Sequence, residues 1–300
     1  MRLFLALVDS GSVTAAARAM HVTQPTASMQ LKEIAQSVGQ PIYQVVGRKI
    51  QLTDVGRELA ETARAIGQHW DAFEQHVDAI KGLTRGKLRV AIVNTAEYFM
   101  PRLIGRFCTS HPAIDVSLQI LNRDHVVQRL RENLDDLYIM SMPPADLSLE
   151  SIVLMANPIV VVARNADPIA RAAQAAPLAL ADLSKQRFIL REKGSGTRMS
   201  IDRHFRQQRF RPDVRLELGS NEAVKEAVAG GLGVGILSRH ALHGLQREHG
   251  VRVIDVAGFP LPSAWHIVHP AGRRLSPVAA AFRDHLVNAA KSGSKMAITP

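Results

Sequence analysis

The sequence holds a single cysteine, Cys108, in 300 residues. That excludes an internal disulfide framework and fits a reducing cytosol. Aromatic residues are only 5% of the chain, and the apolar content is carried by aliphatic side chains, as in many soluble α/β proteins. Long hydrophobic runs are also missing. The apolar stretch Leu3–Val8 stops at Asp9, too early for a signal-peptide core. The most apolar later window, IVLMANPIVVVA (152–163), is interrupted by Asn157 and Pro158 and is too short to span a bilayer. A soluble, cytoplasmic protein without membrane association is expected.

Catalytic signatures are absent too. The twelve histidines and the acids form no recognisable nucleophile–base or carboxylate pair, and His204 and His240 stand singly on helical stretches. No Cys/His set has metal-ligand spacing. The turn 194–197 lacks the six-residue loop of a Walker motif, and in GGLGVG (230–235) the third glycine falls at the wrong place for a dinucleotide fingerprint. No enzymatic activity, metal or cofactor is expected.

A charge of one sign is present in excess. Thirty-seven basic residues stand against 27 acidic ones, a net +10. Such a surplus attracts nucleic acid, an anionic surface or acidic ligands. It is not concentrated at the N-terminus, where the first 56 residues carry Arg2, Arg18, Lys32, Arg48 and Lys49 against Asp9, Glu33 and Asp54. Charge alone therefore identifies no partner.

The length suits two or three domains, and the patterning divides the chain into three parts. Residues 1–56 are short helical segments with close turns. Residues 57–86 form a long helix without proline (57–81) and a hinge. Residues 87–300 alternate β-branched runs with amphipathic segments, the βα signature of a mainly parallel sheet.

In RLFLALVDSGS, Leu3, Phe4, Leu7 and Val8 form an apolar stripe ended by Gly11. Ser12 or Thr14 can cap a second helix, whose Ala15, Ala16, Ala19 and Met20 offer a smooth face for close helix crossing. Thr23 can cap a third helix with Pro25 in its first turn, where a missing N–H costs nothing. Ala27, Leu31 and Ile34 recur at the spacing of a buried stripe, leaving Gln24, Thr26, Ser28, Met29 and Lys32 outward. Glutamine can read adenine, small hydroxyls can reach phosphates or base edges, and lysine neutralises a phosphate. By physics alone, a solvated face in a small helical bundle stands level with a DNA-reading face. Next, GQPIYQVVGRKIQLTDVG (39–56) reads as a hairpin, or wing, whose tip carries Arg48 and Lys49 for the DNA backbone or minor groove.

Helix-turn-helix, wing and long helix in this order resemble the LysR-type transcriptional regulators. The residues that carry the resemblance are GSVTAAARAMHVTQPTASMQLKEI and GRKIQLTDVG, with an α/β region of the expected length behind them. The resemblance spans essentially the whole chain. Two departures stand out. The family has several residues before the position of Met1, so either the first helix is clipped or the start is misassigned. The wing reads YQVVGRK where an aromatic-Glu-Arg sequence is common, which implies weaker backbone contacts.

Along the long helix, Leu59, Ala63, Ile66, Trp70, Phe73, Val77 and Ile80 are spaced as a and d positions of three heptads. One narrow apolar seam on so long a helix calls for a partner helix, and in the resembling family this helix pairs two subunits. A homodimer or homotetramer is expected, on two half-sites of a double-stranded operator, with RNA polymerase as a further partner.

The remainder reads as a sensor. Strands are expected at 87–93, 114–120 and 137–141, then at 158–163, 187–190, 214–218 and 234–237, with a return at 264–269 and a terminal amphipathic helix. The resemblance implies a two-lobed, periplasmic-binding-protein-like (type 2) effector domain. Lobe 1 would cover about 87–160 and 265–291 and lobe 2 about 161–264, with a ligand between them. Three stretches could line the cleft: Asn94, Thr95, Ala96 and Glu97 at one helix start; Gly194, Ser195, Gly196 and Thr197 in a glycine-rich turn; and Ser220 and Asn221 at a third helix start. Each is also compatible with an ordinary capped turn.

NTAEYFMP, IMSMPP, FILREKGSGTR and RRLSP resemble the branch of the family that regulates RuBisCO and Calvin-cycle operons. That implies a phosphorylated sugar, a related organic acid or NADPH as effector. Where that branch often has Gly-Arg before the proline pair, this chain has Ser141-Met142, so a basic ligand contact is expected to be missing while Ser141 stays at the cleft. The alternative reading is a stand-alone small-molecule binding protein of periplasmic-binding type, for which residues 1–56 would have no use.

Overall fold

The structure is a computed structural model that describes residues 1–47, 49–80, 85–242 and 250–293. These fall into two units, one holding the N-terminal helices with the long helix, the other the α/β remainder.

In the first unit, α1 (Arg2–Ser10) buries Leu3, Phe4 and Leu7 and ends at Gly11, whose left-handed φ of 62° only glycine adopts cheaply. Helix α2 (Val13–Ala19) is capped by Ser12, which accepts from the Ala15 amide at 3.4 Å. Its buried alanines are Ala16 and Ala17, with Ala19 exposed, so the packed face is rotated slightly from the expected one. Helix α3 (Gln24–Val38) buries Ala27 and Leu31, with Ile34 packed alongside. Strands β1 (Tyr43–Val46) and β2 (Lys49–Leu52) pair antiparallel, with Val46 opposite Lys49. Helix α4 (Asp54–Ile80) runs 27 residues. At its first turn Gly56 lies against the hairpin entry, where a Cβ would stand 1.8 Å from the Ile42 carbonyl oxygen; no other residue fits.

Of the seam, Leu59 packs on the helical core and Ala63 is buried, while Ile66, Trp70 and Phe73 are 57%, 55% and 57% exposed. Val77 is half-buried, and the Ile80 side chain lies outside the described residues.

The second unit contains two five-stranded sheets among the described residues. The first lobe is built on β3 (Gly86–Val93), β4 (Ile114–Leu121), β5 (Leu137–Met140), β6 (Leu149–Ala156) and β12 (Ala264–Pro270), in the order β4-β3-β5-β12-β6. The second uses β7 (Ile159–Arg164), β8 (Arg187–Arg191), β9 (Asp213–Leu218), β10 (Val234–Ser238) and β11 (Val251–Ile254), in the order β11-β7-β10-β8-β9. The chain enters the second lobe between β6 and β7 and returns with β12. Helices α5 (Met100–Ser110), α6 (Arg123–Arg131) and α10 (Pro277–Gly293) belong to the first lobe; α7 (Pro168–Ala175), α8 (Gly196–Gln207) and α9 (Asn221–Ala229) to the second.

Each lobe has its own apolar core, one around Trp265, Phe107 and Phe282, the other around Phe188, Ile201 and Phe205. Strands β6 and β11 lie outside the sequence expectation. Both are edge strands, and β6 exposes most of its residues, so neither carries a buried apolar run. No described helix is long and apolar enough to cross a membrane.

Candidate functional site

Two surfaces carry polar side chains at helix starts, and they differ in kind. On α3 the Thr23 hydroxyl caps the helix, accepting from the Thr26 amide at 3.3 Å and lying 2.8 Å from the Thr26 hydroxyl. Gln24 Nε2 donates to Ser28 Oγ at 3.2 Å. Thr23, Gln24, Pro25, Met29 and Lys32 are exposed, and Thr26 and Ser28 are half-buried. Ala27 and Leu31 pin the opposite face, so these side chains form one outward row. Lys49 is exposed at the start of β2, whereas Arg48 lies outside the described residues.

The second surface is a narrow cleft between the lobes of the α/β unit. Of the expected residues, it brings together Asn94, Thr95, Ser141, Ser195, Gly196 and Thr197. Thr95 lies in a 3-10 turn (Asn94–Ala96) directly after β3, Ser141 follows β5, and α8 begins at Gly196 after β8. All three positions are strand ends, where a two-lobed α/β architecture places its ligands.

The hydroxyls there are poorly satisfied by the protein. Ser141, Ser195 and Thr197 are 4%, 3% and 3% exposed, yet none of the three side chains makes a hydrogen bond among the described residues. Ser195 sits at the N-cap of α8 without capping it. The first amides of α8 therefore remain open toward the cleft, with the positive end of the helix dipole behind them. The lobes approach closely at Gly196, where a Cβ would lie 2.5 Å from Ser141 Oγ and would push that side chain aside.

Two guanidinium groups also line the cleft: Arg191 opens the REKGSGTR stretch (191–198) expected there, whereas Arg123 lies outside every expected stretch. Arg191, at the end of β8, is 1% exposed and fully engaged. It pairs with Glu192 at 2.8 Å and donates to Asn221 Oδ1 at 3.1 Å and the Gly219 carbonyl at 3.2 Å. Its charge is thus neutralised, and its work is to tie β8 to the start of α9. Arg123, at the start of α6, is different. Its Nε donates to the Met142 carbonyl at 2.8 Å, and its only carboxylate contact among the described residues is Asp124 at 3.5 Å, a side chain largely in solvent. Burial pulls the Arg123 guanidinium below its usual range, against the raising influence of Asp124 and Asp146. A cation therefore stands beside Ser141-Met142 after all, supplied by another element. In the sequence, Arg123 reads as one more surface arginine in NRDHVVQRL; only the β4–α6 turn puts it here.

The remaining expected residues are set apart from this cavity. Ala96 is buried in the core of the first lobe. Gly194, with φ +88°, faces the Asp124 carboxylate instead of the cleft floor. The Ser220 hydroxyl caps α9 by accepting from the Ala223 amide at 3.2 Å, and Asn221 is held by Arg191. Glu97 joins a separate cluster, its pKa raised by burial and by nearby Glu222, while Tyr98 donates to Glu222 at 2.9 Å across the lobes.

Residues 81–291 match the LysR substrate binding domain, and residues 1–57 match the bacterial regulatory helix-turn-helix protein, lysR family. The chain is 40% identical to a RuBisCO operon transcriptional regulator of Acidithiobacillus ferrooxidans, covering 98% of this chain and 94% of that one. It is also 40% identical to the HTH-type transcriptional activator CmpR of Synechocystis, over 95% and 92% of the two chains. Among solved structures, the Synechocystis CcmR regulatory domain in complex with 2-PG superposes with a TM-score of 0.66 at 40% identity, covering 68% of this chain and 97% of that one. Full-length CbnR with its target DNA superposes at 0.64 and 21% identity, over 96% and 98%, a likeness of fold. The helix-turn-helix match removes the basis for a stand-alone binding protein. The chain belongs to the LysR family and is a DNA-binding transcriptional regulator with an effector-binding domain.

Proposed function

We propose that this regulator controls carbon-fixation genes and responds to a small phosphorylated acid, such as 2-phosphoglycolate, bound between its lobes. The reading rests on one observation above all: three buried hydroxyls without partners surround an uncapped helix start and an incompletely paired arginine. That set suits an anion with several acceptor oxygens. The similarity to a domain solved with 2-PG, at 40% identity, supports the same class. In this reading residues 1–56 bind DNA, 57–86 form the linker and 87–300 hold the effector. Gln24, Thr26, Ser28 and Met29 meet base edges, while Thr23, Lys32, Arg48 and Lys49 meet the backbone. No bound cofactor is required.

Calorimetry of the full chain against 2-phosphoglycolate, sugar phosphates, organic acids and NADPH tests the ligand. Saturable binding of a phosphorylated acid is expected, with a changed footprint on its RuBisCO-operon promoter. Binding of none of them would refute the reading.

The assembly proposed is a dimer through α4. Ile66, Trp70 and Phe73 form an exposed apolar stripe, and the Trp70 and Phe73 rings lie 5.6 Å apart. Trp70→Asp should split the linker-mediated dimer; sedimentation of an intact dimer at micromolar concentration would return the stripe to packing within its own chain.

A further inference from the structure

The chain contains two tryptophans, Trp70 on α4 and Trp265 on β12. Trp265 is fully buried, and its indole nitrogen donates to Thr95 Oγ1 at 3.0 Å. Phe99 packs on the indole at 4.8 Å between ring centres. His240 approaches at the same 4.8 Å, edge to face. Trp265, Phe99 and Thr95 belong to the first lobe, whereas His240 follows β10 of the second. The His240 Nε2 lies 3.1 Å from the Ala156 carbonyl, beside the point where the chain crosses between lobes.

Hydrogen-bond chemistry gives this arrangement a direction. An indole N–H can only donate, and a threonine hydroxyl has one proton and two lone pairs. With Trp265 facing one lone pair, the Thr95 proton must point elsewhere. It has no acceptor among the described residues, and Thr95 lines the cleft. A serine or threonine without such a neighbour could turn to donate or accept. With one lone pair held by the indole, the Thr95 hydroxyl keeps a proton whose natural complement is an acceptor in the cleft.

We propose that Trp265 is a positioning residue. It fixes Thr95 as a donor toward an acceptor oxygen of the ligand, and through His240 it links that contact to the crossing between lobes. This rests on the reading of the cleft as an anion site and refines it. A ligand presenting a donor at this point would leave the Thr95 proton unmatched, a mismatch that sites built on hydrogen bonds reject strongly.

The experiment uses the full chain as parent, W265F, T95V, T95S and the W265F/T95V double variant. Phenylalanine keeps an aromatic ring at the site while removing the indole donor and part of its volume. In nitrogen-15 spectra without ligand, the Trp265 indole resonance should move in T95V and hold in T95S, with Trp70 as the internal reference. An unmoved Trp265 resonance in T95V overturns the proposal, whatever the ligand. In calorimetry with 2-phosphoglycolate, W265F and T95V should each bind about tenfold more weakly. The double variant should bind no more weakly than T95V alone. Losses that add, or W265F binding like the parent, would reduce Trp265 to a packing residue and overturn the proposal. If the parent binds neither 2-phosphoglycolate nor inorganic phosphate, the anion reading of the cleft fails, and the indole resonance alone decides the Trp265–Thr95 linkage.

Discussion

Several helix starts among the described residues carry a hydroxyl, and they do not behave alike. Thr23 and Ser220 cap α3 and α9 by accepting from the Thr26 and Ala223 amides. Ser195 occupies the same position on α8 and caps nothing. A cap satisfies the orphan amides of the first turn from within, and the helix end then needs no visitor. An uncapped start, buried beside a cation and two other idle hydroxyls, lacks an acceptor. The difference separates a helix start satisfied from within from one that, in the proposed reading, receives the ligand. It also separates the two functional surfaces. The outward row on α3, the proposed DNA-reading face, is largely exposed and bonded within itself; the α8 start is enclosed and unmatched.

The comparison breaks most visibly at Arg123. If the cleft binds an anion, Arg123→Gln removes the one incompletely paired cation there, and affinity for 2-phosphoglycolate should fall by about 2–3 kcal/mol. Operator binding without effector should be unchanged, because α3 keeps its own contacts. Calorimetry and a gel-shift titration on the same preparation check both halves. Ligand affinity within a factor of two of the parent would remove Arg123 from the site.

The reciprocal change is smaller. Gln24→Ala should weaken binding to the specific operator by about 1–2 kcal/mol and leave non-specific DNA binding as it was. The ligand isotherm should not move. Lys32→Ala should instead weaken binding to all DNA and flatten its dependence on salt. A Gln24 variant that footprints like the parent would show that α3 does not read bases.

What the sequence reveals of all this follows from the range of each interaction. The Ala27–Leu31–Ile34 spacing, the Gly11 stop, the Thr23 cap and the strand runs are local, so the helix-turn-helix and most of both sheets are legible from neighbours along the chain. The heptad seam is legible as a pattern, although the structure alone shows that Ile66, Trp70 and Phe73 stand uncovered while Ala63 is buried. Whether a given hydroxyl is engaged is not legible. Ser195 and Ser220 both precede helices in similar glycine-flanked turns, and only the fold shows that one caps and the other does not. Arg123 escapes for the same reason: it reaches Met142 from 19 positions away, and no periodicity signals that. Strands β6 and β11 are missed because edge strands lack the buried alternation by which strands are recognised.

The smallest effect gives the sharpest test, because it asks two serines in equivalent places to behave differently. Ser220→Ala deletes a working cap, and stability should fall by about 1 kcal/mol in urea unfolding. Ser195→Ala deletes a hydroxyl that accepts from no amide, so the same measurement should show almost no loss. Removing a buried hydroxyl that the protein leaves unmatched is close to neutral, or slightly favourable. Its effect should surface only with ligand, as a weaker calorimetric affinity for 2-phosphoglycolate, whereas Ser220→Ala should leave that affinity alone. Equal destabilisation by the two variants would mean that Ser195 caps α8 in solution. The start of α8 would then be an ordinary helix end, and the distinction between it and α9 would be lost.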